Sequence, residues 1–302
     1  MNFKFLKKIL RPLYRILSYL PLVHSLIVRR TIRTSYHNEI LLLEGRHKTD
    51  NTNQSILFFT VHKAASVYVG NIMKRLTRDM GMTPINIDGY FYDIMKSREW
   101  KSKGRVAKKN IYKPIGYFYG PFRTFNPAVP NLDDYQILLV LRDPRDAVVS
   151  QYFSFLYSHG FPFLANRKLI EAKMHKRKKR ISEETVDDYV IRLMNSDYIE
   201  KYYTYCQELA GKPNVLFLKY EDMVNDFDSW LKSILEFFRL NVNRGIVNDL
   251  IRNADFKIKK ENIYSHKRQV IPGDHKRKLK RETIEELNKK WEEILKILDY
   301  PI

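Results

Sequence analysis

Two short stretches carry side chains whose types and spacing suit phosphate binding. In the first, an apolar run ending at Val61 is followed by His62, Lys63, Ala64, Ala65 and Ser66. Lysine supplies a point charge, serine a hydroxyl, and the small residues between them let backbone amides approach an anion at a helix start. In the second, LLVLRDPRDAVVSQYFSF from Leu138 to Phe155, Arg142 stands where an apolar run stops, and Ser150 follows eight residues later. A guanidinium forks readily onto phosphate oxygens, and a serine about two helical turns further on offers a hydroxyl nearby. Taken alone, the second stretch reads equally as a strand-helix corner with a surface ion pair.

Such groups need strands that deliver them to one edge of a sheet and helices that begin there. Tyr135 to Leu141 is a short continuous apolar run, which predicts a buried strand. Asp143 is placed to cap the helix that follows, Pro144 to take its first position and Asp146 to complete an acidic first turn. Ser55 to Gly81 repeats this plan, with Val67, Ile72 and Leu76 expected on one helical face and Gly81 as the stop. The loop between is not the common nucleotide-triphosphate loop, because its lysine precedes the small residues and it has no glycine. Two such units predict a three-layer α/β domain with a mainly parallel central sheet and P-loop-like nucleotide-binding architecture. Its ligand would lie at the carboxyl ends of the strands near Val61 and Leu141.

With both units in view, the chain resembles the sulfotransferase family, which moves a sulfuryl group from 3'-phosphoadenosine 5'-phosphosulfate (PAPS) to a hydroxyl or amine. His62 to Tyr68 lies along the family's first signature, Pro-Lys-Ser-Gly-Thr-Thr-Trp and its variants. The resemblance gives Lys63 the family lysine's place, Ser66 that of a 5'-phosphosulfate-binding hydroxyl and Tyr68 that of the aromatic packed on adenine. Ala64, Ala65 and Val67 complete the loop. Arg142 and Ser150 keep the spacing of the pair that binds the 3'-phosphate. KRQVIPGDHK resembles the family's late Arg-Lys-Gly and Gly-Asp-Trp-Lys elements, with Arg268 on the arginine and Gln269 on the lysine. Phe256 resembles a residue bordering adenine, and Tyr220, Glu221 and Asp222 resemble a structural group at the end of a late edge strand. The similarity runs from about Ser55 to Leu298.

The implied chemistry is in-line displacement at sulfur, with 3',5'-adenosine diphosphate (PAP) as product and no metal required. Lys63 would stabilise charge developing on the leaving phosphate oxygen. A general base would take the acceptor proton. Cytosolic members use a histidine ahead of the arginine motif, but GYFYGPFR contains none. Golgi carbohydrate-modifying members use a glutamate a little beyond the first helix, and Asp88 stands in roughly that place. His159 is a rival base and His62 a shaper of the loop. The alternative for Asp88 is an Asp-Gly turn whose carboxylate caps the backbone.

Composition suits one catalytic domain, residues 51–302, preceded by a basic amphipathic segment, 1–50. With 44% hydrophobic residues the chain can build a core. The only cysteine, Cys206, excludes disulfides within the chain and fits packing in a helix of a cytoplasmic protein. Residues 1–34 hold eight Lys and Arg and no acid, and their longest uncharged run, Ile16 to Val28, is too short to cross a bilayer. They suit contact with a membrane surface instead. The net charge of +20 gathers there, in a basic insertion near 165–181 and in Lys257 to Arg281. A basic rim could collect an acidic glycan or a charged lipid headgroup as acceptor. Nucleic acid is not expected, because the basic runs lack interleaved aromatics. Two other readings stay open: an inactive nucleotide- or polyanion-binding protein of this fold, and a P-loop small-molecule kinase. Thr283 and Glu286 predict a capping box opening a final helix.

Overall fold

Successive residues of a strand face opposite ways, so runs that are apolar throughout demand cover on both sides. The computed structural model, which describes residues 29–94, 111–158, 167–256, 261–265 and 268–302, meets that demand with a three-layer arrangement. Strands β1 (Ile56–Thr60), β2 (Thr83–Ile85), β3 (Tyr117–Phe122), β4 (Gln136–Leu141) and β5 (Val215–Lys219) line up in the order β2-β3-β1-β4-β5. Every pairing is parallel. β1 is central, and β5 forms an edge, as expected of the late strand.

Helices follow in the order α1 (His37–Leu43), α2 (Ser66–Asp79), α3 (Ile87–Ile94), α4 (Pro144–Phe153), α5 (Arg167–Ser182), α6 (Val186–Met194) and α7 (Glu200–Leu209). The remainder are α8 (Tyr220–Asn225), α9 (Phe227–Phe237), α10 (Arg244–Arg252), α11 (Asp274–Lys278), α12 (Arg281–Lys290) and α13 (Glu292–Ile297). On one face of the sheet, Ile56, Phe58, Phe118, Leu138 and Val140 pack against α2 and α9. On the other, Leu57, Phe59, Tyr119, Ile137 and Leu139 pack against α6, α7, α12 and α13. Each such buried side chain contributes roughly 1.5–3 kcal/mol relative to exposure. Part of the basic leading segment docks on the domain: Leu42 is buried, the Glu39 carboxylate accepts from Asn86 N at 2.7 Å, and Tyr36 OH donates to Asp93 at 2.6 Å. Residues 1–28, on which the membrane-contact expectation mainly rests, lie outside the described residues. Among the described residues, no helix is long and apolar enough to cross a membrane.

Two local expectations need correction. Val67 is 59% exposed, while Val69, Ile72, Met73 and Leu76 form the buried face of α2. Five residues beyond Val67, Ile72 is about 140° round the helix, so the two cannot share a face. Thr283 does not open its helix either. α12 begins at Arg281, Thr283 is buried inside it, and Lys280 N donates to Asp187 at 2.9 Å. A carboxylate from α6 thus meets the chain at Lys280, where the helix begins, three residues before the expected box. The reciprocal capping box that does form joins Thr185 and Asp188 at the start of α6.

Candidate active site

The carboxyl ends of β1, β3 and β4 bring three loops together. After β1 the chain turns through Lys63 and Ala65, both at positive φ (70° and 53°), before α2 begins. Left-handed backbone in residues other than glycine stores strain, commonly where backbone amides are aimed at a ligand. Ala65 gives α2 no side-chain cap. Ala64 is buried, and α2 packs on β3 at Gly70, where Pro121 is the nearest neighbour. Lys63 is half-buried, and burial together with the charges of Arg142 and Arg268 pushes it down to about 8.

Arg142, at the end of β4, is 3% exposed. Its Nη1 donates to the Lys63 carbonyl at 3.0 Å, and its guanidinium lies 4.3 Å from the Tyr220 ring centroid. Nη2 is 3.8 Å from Asp146, yet neither Nε nor Nη2 has a hydrogen-bond partner among the described residues. Buried donors of this kind are costly unless a partner arrives. Beyond Arg142, the local expectations hold: Asp143 caps α4 through Arg145 N at 2.9 Å and Pro144 opens the helix. Ser150 is half-buried in α4, on the spacing that places it beyond Arg142.

Asp146 ties this corner to the carboxyl-terminal motif. Its carboxylate accepts from Gly273 N at 2.7 Å and from His275 N at 2.9 Å, and lies 2.6 Å from His275 Nδ1. Burial alone would raise the Asp146 carboxyl, but the His275 hydrogen bonds and the Arg142 charge outweigh it and hold it below the usual carboxylate range. The same motif carries Arg268, buried and bonded to both Glu261 and Asp274, with its guanidinium 4.2 Å from the Phe153 ring centroid. Arg268 is thus engaged by two carboxylates instead of standing as an open arm. Gln269 is half-buried, its Oε1 without a partner among the described residues. Farther along the loop edge, Tyr68 meets Phe256 edge-on at 5.6 Å and Phe227 at 6.3 Å, which gathers three rings beside the start of α2.

The end of β3 adds a residue that the sequence reading missed. Arg123 Nε donates to Ser66 Oγ at 3.0 Å, and the Asp88 charge acts on Arg123. Asp88 lies in the first turn of α3, where Asn86 supplies the cap by accepting from Gly89 N at 3.0 Å. Asp88-Gly89 is therefore part of a helix and not a turn. Arg123 links Asp88 to the Ser66 end of the loop. Its signal was a basic residue at the end of a third apolar strand. His159 lies outside the described residues, and His62 is exposed. No group of metal-ligating side chains occurs among the described residues.

A family profile described as "Sulfotransferase domain" matches residues 121–297, more than half of the chain. The chain belongs to the sulfotransferase domain family. Sulfuryl transfer is accordingly the general chemistry of this sulfotransferase, and the kinase reading is set aside. Among solved structures, mouse sulfotransferase SULT7A1 complexed with PAP is 18% identical, with a TM-score of 0.53, over 86% of this chain and 94% of that one. At that identity the likeness is one of fold. A retinol dehydratase in a complex with retinol and PAP is 15% identical, with a TM-score of 0.46, over 82% of each chain. Among curated proteins, none matches this sequence.

Proposed function

We propose that residues 51–302 form a domain that transfers a sulfuryl group from PAPS to a hydroxyl or amine of a glycan or lipid acceptor. The observation that carries the reading is the corner where the charges of Arg142 and Arg268 both act on Lys63, while two buried Arg142 nitrogens lack acceptors among the described residues. The residues fit the donor. Arg142, Ser150 and Arg268, with Gln269 beside them, would hold its 3'-phosphate. Lys63, Ser66 and the amides of Ala64, Ala65 and Val67 would hold the phosphosulfate, with adenine among Tyr68, Phe256 and Phe227. When bound, the donor supplies the sulfuryl group and a phosphate leaving group. Lys63 then faces the charge that develops on that phosphate, and Asp88 takes the acceptor proton. Arg123, fixed to Ser66, keeps Asp88 beside the loop and adds a cation at the transferring end. PAPS chemistry of this kind needs no metal, because Lys63 balances the charge.

Calorimetry with PAP, and with ATP and magnesium in parallel, tests the donor. PAP is expected to bind without magnesium and more tightly than ATP; a preference for ATP with magnesium would reject the reading. In a transfer assay with labelled PAPS, Asp88→Asn is expected to cut turnover by about 10²- to 10⁴-fold with PAP affinity unchanged. Full turnover in that variant would remove Asp88 as the base. PAP binding without transfer to any glycan or lipid would favour the inactive binding protein.

Arg268 gives a separate expectation. Glu261 also accepts from Lys278 at 2.6 Å, so its carboxylate pairs with two cations, one of which, Arg268, a phosphate would use. Glu261→Gln is expected to tighten PAP binding by about threefold or more, as a charged competitor is lost. Weaker binding would show that Glu261 supports the site instead.

A further inference from the structure

Helix α5 carries eight lysines and arginines against one glutamate. Every residue from His175 to Arg180 is exposed, whereas Met174 and Ile181, one heptad apart, are half-buried and buried. The helix is therefore anchored along a narrow seam and presents cations round the rest of its circumference. Its position ties it to the site from two sides. Arg177 lies 4.8 Å over the Phe155 ring, in a π-helical turn, Ser154–Ser158, that continues α4. Two residues earlier, Phe153 is the ring beneath Arg268. On the other side, Tyr92 stands one turn after Asp88 on α3, and the charges of both Arg177 and Arg123 act on it. Tyr92, Tyr157 and Tyr264 are 48%, 40% and 73% exposed, the last two edge to face at 5.6 Å.

We propose that α5 is the docking surface for a soluble polyanionic glycan acceptor, which runs along the helix and presents its hydroxyl at the Asp88 end of the site. This rests on the sulfuryl-transfer reading. The charge is complementary to a chain bearing sulfates or carboxylates, and such fields raise both capture rate and local concentration. The exposed tyrosines offer flat rings with polar tips, suited to sugar rings. A membrane surface is a poorer match. Helices that lie in a bilayer interface set an apolar face against their cations. α5 has no large exposed apolar side chain among its described residues.

The test measures binding of a chondroitin sulfate hexasaccharide and of its desulfated, carboxyl-reduced counterpart to the full chain. Lys176, Arg177, Lys178 and Lys179 are then changed together to Gln. The wild type is expected to bind the sulfated sugar at least about tenfold more tightly than the neutral one, and less tightly as salt is raised. The fourfold variant is expected to lose about tenfold or more of that affinity while holding PAP within about twofold, which also shows that it is folded. Equal affinity for the two sugars, or full affinity in the variant, would overturn the proposal. Tighter binding of phosphatidylserine vesicles or single-stranded RNA through these residues would overturn it too. PAP titration of the same wild-type samples keeps the two readings apart: its failure sinks sulfuryl transfer, whereas the hexasaccharide alone decides the docking surface.

Discussion

Lys63→Ala is expected to lower turnover by about 10²- to 10³-fold while PAP affinity falls by no more than about tenfold. The asymmetry follows from the proposed role, because charge on the leaving phosphate is greatest in the transition state. The lysine also gives the site a pH signature. Burial, with Arg142 and Arg268 nearby, pushes Lys63 down to about 8, so above that pH a growing fraction is neutral in the free protein. A bound polyanion favours the charged form. PAP binding should therefore take up a proton above about pH 8 and little or none below about pH 7, and its affinity should fall as pH rises above about 8. Calorimetry at pH 7 and 9 in buffers of different ionisation enthalpy reads the uptake, and Lys63→Ala should abolish it. Uptake that persists in the variant would assign the proton to another group.

Arg142→Ala is expected to weaken PAP binding by at least about 100-fold, since charge-assisted hydrogen bonds contribute roughly 1.5–3 kcal/mol each. It should also lower the melting temperature, because the guanidinium holds the Lys63 carbonyl and faces Asp146 inside the protein. Removing one partner of a buried ion pair typically costs about 3–5 kcal/mol. Arg142→Lys separates the two effects. It keeps the charge but cannot support both the loop carbonyl and a forked phosphate contact. A folded Arg142→Lys protein should thus still bind PAP about tenfold or more weakly. Affinity equal to wild type would remove Arg142 from the phosphate site.

The parts of the site that were legible in the sequence are those where one short segment states both the element and its chemistry. Apolar runs followed by Lys63 and by Arg142-Asp143-Pro144 announce strand ends and helix starts, and these fall side by side because β1 pairs with β4. Arg123 was hidden for the opposite reason. Its importance arises only when β3 pairs with β1 and brings it to Ser66, 57 positions away. The occupation of Arg268 by Glu261 was equally invisible, since ion-pair choice depends on how a loop folds back. The failed capping box at Thr283 shows a local pattern overridden by a tertiary donor-acceptor pair. Asp146 was legible as a first-turn acid, but nothing near it pointed to its service to Gly273 and His275.

That service sets when the proposed donor site can exist during folding. Gly273 and His275 are 127 and 129 positions from Asp146, so the phosphate corner closes a long loop. Such closures meet their entropic cost before the contacts that reward them, and they form late. A chain still emerging, or one whose last elements have come undocked, would have the Lys63 loop without the segment that carries Arg268. On the proposed reading, nucleotide affinity is then a property of the finished fold alone. A ligand that recognises only the finished fold draws partly folded chains toward it, with a stabilisation that grows as its concentration exceeds the dissociation constant.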